Sequence, residues 1–186
     1  MMTSPPVKTT FDSPLGPMLL AATAQGLTGV WFTDQRHGPD ASGWPTSPQH
    51  PLLQQAQQAL LRYFAGEAVG FDLPLDLSGG TAFQQSVWRA LLQIPRSAHA
   101  SYGQISTQIG NPKAVRAVGA AVGRNPLSII VPCHRVLGAD GSLTGYAGGL
   151  ERKVALLRLE GARFKAPGTP RHRDEKAIPP RADSQR

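Results

Sequence analysis

One cysteine, Cys133, stands in 186 residues. A lone thiol excludes an internal disulfide framework and leaves a structural zinc site without its usual ligand set. Apolar runs are short, and none approaches the roughly 18 residues that cross a bilayer. The start, Met1-Met2-Thr3-Ser4-Pro5-Pro6, lacks the charge and apolar core of a secretory signal. These absences predict a cytoplasmic protein of a reducing compartment, with no membrane, no metal and no cofactor. Acids are also scarce, but unevenly. Residues 1–80 carry three Lys or Arg against six Asp or Glu, a net −3. Residues 81–164 carry ten against three, +7, and residues 165–186 six against three, +3. Such asymmetry favours a polyanionic partner on one half of the molecule, whereas a basic face kept only for solubility would also fit.

What is present divides at about residue 80. Short apolar segments at 9–12, 18–23 and 27–32, parted by Ser13-Pro14-Leu15-Gly16-Pro17 and Gln25-Gly26, predict adjacent antiparallel strands. Residues 37–51 read as a loop, 52–64 as a helix, and 71–75 as a short strand. Beyond the linker Ser78-Gly79-Gly80, Thr81 caps a helix with Phe83, Val87, Ala90 and Leu91 on one stripe. Helices over 101–109 and 112–122, joined by Gly110-Asn111, have helix-turn-helix spacing, with Pro112 in the first turn of the second. That second helix would carry Lys113, Arg116 and the small residues Ala117, Gly119, Ala120 and Ala121. A helix over 150–159 follows the glycine-rich 138–149. The last stretch, 165–186, holds four prolines and almost nothing apolar, and reads as a disordered basic tail.

The segment 125–136 concentrates the chemistry. A buried apolar strand, 129–131, is expected to deliver Pro132-Cys133-His134-Arg135. Two potentially cationic neighbours favour the thiolate, which points to a reactive thiol and away from a small core residue. Adjacent residues of an extended chain face opposite ways, so a proton would pass between Cys133 and His134 through water. Glu160 is the best candidate to orient the histidine, although its position by itself favours a surface acid or a helix-end partner for Arg163. Ionisation alone does little. At pH 7 a thiol of pKa ~8.5 is about 3% thiolate, and lowering that pKa to ~7 nets only about three-fold after the loss of nucleophilicity. Positioning and leaving-group stabilisation must supply most of the rate.

Ser101-Tyr102-Gly103, 111–119, Asn125-Pro126, 130–136, 144–149 and 157–161 together resemble the O6-alkylguanine-DNA alkyltransferases (methylated-DNA–protein-cysteine methyltransferases). The resemblance covers residues 81–164, with a weaker match over 9–76. It implies an α+β fold: a small N-terminal sheet domain with a helix, ribonuclease-H-like (1–80), packed on a mostly helical DNA-binding and acceptor domain (81–164) with a helix-turn-helix. It implies that Cys133 accepts the alkyl group, that His134 takes its proton through water, and that Glu160 polarises the histidine. Tyr102 would donate to N3 of the leaving guanine, and Asn125 would be the hinge before the acceptor segment. Arg116 would enter the base stack beside Lys113 and Ala117 on the recognition helix. Val136, Tyr146, Ala147 and Gly148 would line the pocket; Arg135, among the substrate-side residues, reads as structural. The implied partner is double-stranded DNA containing O6-alkylguanine, met by a monomer and repaired once per chain, with O4-alkylthymine left open. Ser97 and His99 stand where members often have Gly and Thr, which bears on the local turn.

Two rivals differ in class. The first is DNA binding without transfer chemistry: a related damage sensor would carry a different residue at the acceptor cysteine, which is intact here, and a regulator would need a dimerisation or effector segment, which the sequence does not show. A cysteine hydrolase would need an oxyanion hole and would leave the basic half unexplained.

Overall fold

The computed structural model describes residues 3–166. The chain opens as a meander of β1 (Val7–Ser13), β2 (Gly16–Ala22) and β3 (Leu27–Phe32), antiparallel in that order. The first hairpin closes tightly because Gly16 takes φ +119° and Ser13 Oγ donates to the Gly16 carbonyl at 2.7 Å. Phe11, Met18, Leu20, Val30 and Phe32 lie buried. Helix α1 (Pro51–Phe64) packs on β1 and β2, burying Leu53, Ala56, Leu60 and Tyr63 at helical spacing. Its proline sits at the first helical position, where no N–H is needed.

In the second half, Thr81 and Gln84 form a capping box at the start of α2 (Ala82–Leu91). Ser101 and Gln104 form another ahead of α3 (Tyr102–Gln108). Helix α4 (Val115–Gly123) packs on both α2 and α3. The Trp88 indole fixes that contact by donating to the Ala121 carbonyl at 2.8 Å. A two-residue β4 (Ala100–Ser101) pairs in parallel with β5 (Val136–Leu137), and α5 (Leu150–Leu159) ends at Glu160. The expected α+β class, with a small sheet unit followed by a mostly helical one, is the observed architecture. One buried cluster runs through both units. No helix among the described residues is long and apolar enough to cross a membrane.

Three expectations are corrected. The strand at 71–75 is a single parallel bridge, Leu27 to Leu75. Pro74 contributes a carbonyl to Leu27 N at 2.8 Å but has no N–H with which to extend a ladder. Helix α4 starts at Val115, not at Pro112. The Asn111 carbonyl is taken by the Ser106 hydroxyl and by Ala114 N (3.0 Å), which closes a turn, and the Ala114 carbonyl accepts the first helical bond, from Val118 N at 2.8 Å. Lys113 therefore sits exposed in the turn and not on the helix. Residues 129–131 form a turn and no strand. Val131 N donates to the Leu127 carbonyl at 2.9 Å, and Ile129 holds φ +73°. A left-handed β-branched residue is strained.

Ser97 keeps its turn by adopting φ +70°, with its hydroxyl donating to the Glu160 carbonyl; His99 is exposed. Of the expected basic tail, only Lys165, bridged to Ser142, and Ala166 are described; the rest lies outside the described residues.

Candidate active site

The sheet positions the site through its open edge. Val30 N donates to the Pro126 carbonyl at 2.8 Å, and Ser128 N donates to the Val30 carbonyl at 2.9 Å. Asn125, itself buried, completes the turn. Its amide nitrogen donates to the Val131 carbonyl (2.8 Å) and weakly to Leu127 O (3.4 Å), and its carbonyl oxygen accepts from Leu127 N (3.0 Å). Buried backbone groups must find partners, and here one side chain supplies both a donor and an acceptor. Asn125→Ala is expected to lower stability by about 2–4 kcal/mol, because it leaves two buried backbone groups unpaired. Thermal unfolding checks this.

Cys133, His134 and Arg135 follow as one turn of 3₁₀ helix. The extended geometry assumed from the sequence, and the opposite-face argument built on it, do not apply. Burial pushes the Cys133 thiol up, against the opposing pull of the Asn125 amide and the Lys153 ammonium. The expectation that His134 and Arg135 would favour the thiolate is thus reversed for the free protein. Arg135 is spent elsewhere, and burial pushes His134 below its ordinary value despite Glu160 beside it.

Glu160 is the centre of the arrangement, with a fully buried side chain. Its Oε1 accepts from Tyr63 Oη (2.7 Å), His134 Nε2 (2.8 Å) and Arg135 Nη2 (2.8 Å), and its Oε2 accepts from Arg135 Nε (2.9 Å). Burial alone would raise this carboxyl, but the bonds from His134, Arg135 and Tyr63 outweigh it and hold it at about 2. An ionised acceptor fixes the histidine with its proton on Nε2. Nδ1, buried and without a hydrogen-bond partner among the described residues, is then left with its lone pair. The group can therefore act as a base. Arg135 also donates to the Ile94 carbonyl at 2.6 Å, so it holds the interior together and does not face a ligand.

A cleft of about 250 Å³ opens beside Cys133. Tyr102, at the start of α3, contributes one wall, with its hydroxyl 2.7 Å from Thr144 Oγ1. Gly119, Val122 and Gly123 of α4 contribute another, and Gly145, Tyr146 and Ala147 a third. Arg36 and His37 reach it from the loop after β3. Val136 and Gly148 do not line it. Val136 is buried in β5, and Gly148 packs under Tyr146 and Phe32, where a Cβ would come within 2.8 Å of the tyrosine ring. Arg116 and Ala117 are exposed on α4, one turn before the cleft wall. Reading the sequence missed Lys153, which is fully buried and donates to the Val136 carbonyl at 2.6 Å, its pKa pushed down by burial to about 8. It also missed Tyr63. Lysine on an otherwise amphipathic helix gives no signal of burial.

Residues 82–162 match the family model described as 6-O-methylguanine DNA methyltransferase, DNA binding domain, and residues 7–77 match its ribonuclease-like domain. The chain belongs to this methyltransferase family. The resemblance carried by the segments around Cys133 is borne out across the length of the described chain. Among its relatives, the methylated-DNA–protein-cysteine methyltransferase of Mycobacterium tuberculosis H37Rv is 52% identical over 157 residues, covering 84% of this chain and 93% of that one. A relative of the same name from Methanosarcina acetivorans is 50% identical over 155 residues, covering 82% and 96%. Among solved structures, M. tuberculosis OGT in complex with DNA superposes with a TM-score of 0.77 at 51% identity, covering 83% of this chain and 92% of that one.

Proposed function

We propose that this chain takes the alkyl group of O6-alkylguanine in duplex DNA onto Cys133, irreversibly and once per molecule. Family membership makes DNA repair by alkyl transfer to a cysteine its activity, and DNA its partner. The proposal adds to this the thiol of Cys133, the O6-alkylguanine lesion, a monomeric state and a cytoplasmic setting. One observation carries it: the only cysteine lies on a cleft beside a buried His134–Glu160 pair whose free nitrogen can accept a proton.

On this reading residues 1–80 form the supporting unit and 81–164 the DNA-binding and acceptor unit, with α3 and α4 as the helix-turn-helix. The guanine leaves the stack, since a base within a duplex cannot present its O6 alkyl carbon to a protein nucleophile. The Cys133 proton passes through water to His134 Nδ1, and Glu160 stabilises the charge that forms. The thiolate attacks the alkyl carbon, the new S–C bond replacing the C–O6 bond. Tyr102, displaced from Thr144, donates to N3 of the departing guanine. Burial holds its hydroxyl protonated, as a donor must be. Tyr146 and Ala147 flank the base. Because the free thiol is pushed up, proton removal belongs to the complex and not to the resting protein.

Arg116, exposed on α4, fills the gap in the stack. Arg116→Ala is expected to slow repair of duplex substrate about ten-fold or more, with a smaller loss on free O6-benzylguanine, the difference being a part of the cost of base extrusion. Equal losses on both substrates would remove that role. The reading as a whole is tested by intact-protein mass after incubation with an oligonucleotide carrying one O6-methylguanine. A single methyl group mapped to Cys133, saturating at one per chain, is the expected result. Tight binding without a mass change would make the chain a damage sensor instead.

A further inference from the structure

Resting on the proposed function, we propose that the loop 33–39 forms the outer wall of the alkylguanine cleft, and that Arg36 on it grips a backbone phosphate of the strand carrying the extruded nucleotide. The loop belongs to the sheet unit, yet it is bound to the acceptor side at several points. Arg36 N donates to the Ala147 carbonyl at 3.0 Å. Gln35 Oε1 accepts from Phe32 N (2.9 Å) and Ser128 Oγ (3.2 Å). Asp34 pairs with Arg152 at 2.7 Å, and that arginine lies 4.2 Å from the Phe32 ring centroid while donating to the Leu15 and Gly148 carbonyls. His37 is held at φ +58°, an uncommon conformation for a residue other than glycine and one that recurs where a backbone is bound into a ligand site. The loop is therefore fixed against the cleft by both of its neighbours.

The charge on it is the informative part. Residues 1–80 carry a net −3 and would by themselves repel DNA. Of their three cations, Lys8 donates to the Ala41 carbonyl at 2.6 Å and Arg62 pairs with Glu67 at 2.8 Å. The Arg36 side chain alone has no partner among the described residues, and it is exposed at the cleft. The acids nearest in the chain are already engaged, Asp34 by Arg152 and Asp40 by Ser42. Across the cleft stands α4, with Gly119 on the wall and Arg116 exposed one turn before it. A strand whose nucleotide enters the cleft would meet Arg36 at the cleft and Arg116 on α4. An arginine fork matches the two oxygens of a phosphate. A group left in solvent at the rim is suited to the backbone, while Tyr102, Tyr146 and the glycines form the surface for the base.

The test measures full-length protein binding to an O6-methylguanine duplex over a range of salt, for wild type, Arg36→Gln and Arg36→Lys. One phosphate contact contributes about 0.9 to the slope of log affinity against log salt. R36Q is expected to flatten the slope by about that amount and to weaken binding several-fold, up to about ten-fold, at low salt, whereas R36K keeps the wild-type slope. The loss of rate on free O6-benzylguanine, read by mass gain at Cys133, is expected to be smaller than the loss on duplex. A wild-type slope in R36Q, a slope in R36K as flat as that of R36Q, or equal losses on free base and duplex would each overturn the phosphate contact. Failure of wild-type protein to gain mass at Cys133 would strike the proposed function itself, and the two failures are therefore separate.

Discussion

Cys133→Ser is expected to abolish alkyl transfer, by on the order of 10⁴-fold or more, while lesion-bearing duplex is still bound. The reason lies in what the cleft supplies and what it does not. His134 offers a neutral imidazole oriented by Glu160, a base adequate for a thiol but far too weak to ionise an alcohol appreciably. Tyr102 and Tyr146 do not compensate, since both are held protonated by burial. The exposed cations proposed to hold DNA, Arg116 and Arg36, do not depend on the sulfur. Serine at a site only 5% exposed also buries a hydroxyl, and a stability loss of about 1–2 kcal/mol is expected from that alone. Mass spectrometry and an electrophoretic binding assay on the same preparation give both readouts. Loss of binding together with transfer would make Cys133 a structural residue.

Glu160→Gln is expected to have the largest effect on stability, about 3–5 kcal/mol, because it leaves Arg135 and His134 facing a neutral amide inside the protein. For a chain of this size that lowers the thermal midpoint by on the order of 10 °C. Transfer should fall as well, by roughly 10²-fold or more, since Gln can offer His134 a donor as readily as an acceptor and no longer sets its tautomer. The same carboxylate predicts the acid limb of stability. Its folded pKa of about 2 lies below the ordinary 4.5, so the folded state favours the ionised form. The contribution, about 3 kcal/mol, is fully present above pH 4.5 and is lost as pH falls towards 2. Denaturant unfolding between pH 5 and 2 should therefore show a steep loss in the wild type and a shallower one in E160Q. Parallel slopes would mean that Glu160 is not the group responsible.

The sheet unit, α1, α2 and α3 were legible because each is bounded locally: short apolar runs between turns for the strands, apolar positions at helical spacing for α1 and α2, Thr81 as the cap of α2, and Gly110-Asn111 after α3. Cys133 as the proposed acceptor was legible from composition and its immediate neighbours. What failed were inferences that carried regular geometry into segments whose backbone bonds are made elsewhere. The apolar run 129–131 has the composition of a strand, but β3 and Asn125 take up the bonds on either side and bend it into a turn. Pro112 has the composition of a helix start, but Ser106 captures the carbonyl that would have begun the helix there.

The sequence by itself determined the chemistry available to this protein. A single thiol set between Pro132 and His134, a basic second half and the segments around Tyr102, Asn125 and Glu160 leave little else to build. The tertiary structure decided how those groups are used. Glu160 lies 97 residues from Tyr63 and 26 from His134, and no local rule brings the three to one oxygen. Burial turned the expected thiolate into a held thiol, made Lys153 an interior donor, and spent Arg135 on a carboxylate. Desolvation and hydrogen bonding depend on what surrounds a group in space, and those surroundings exist only once distant segments have packed.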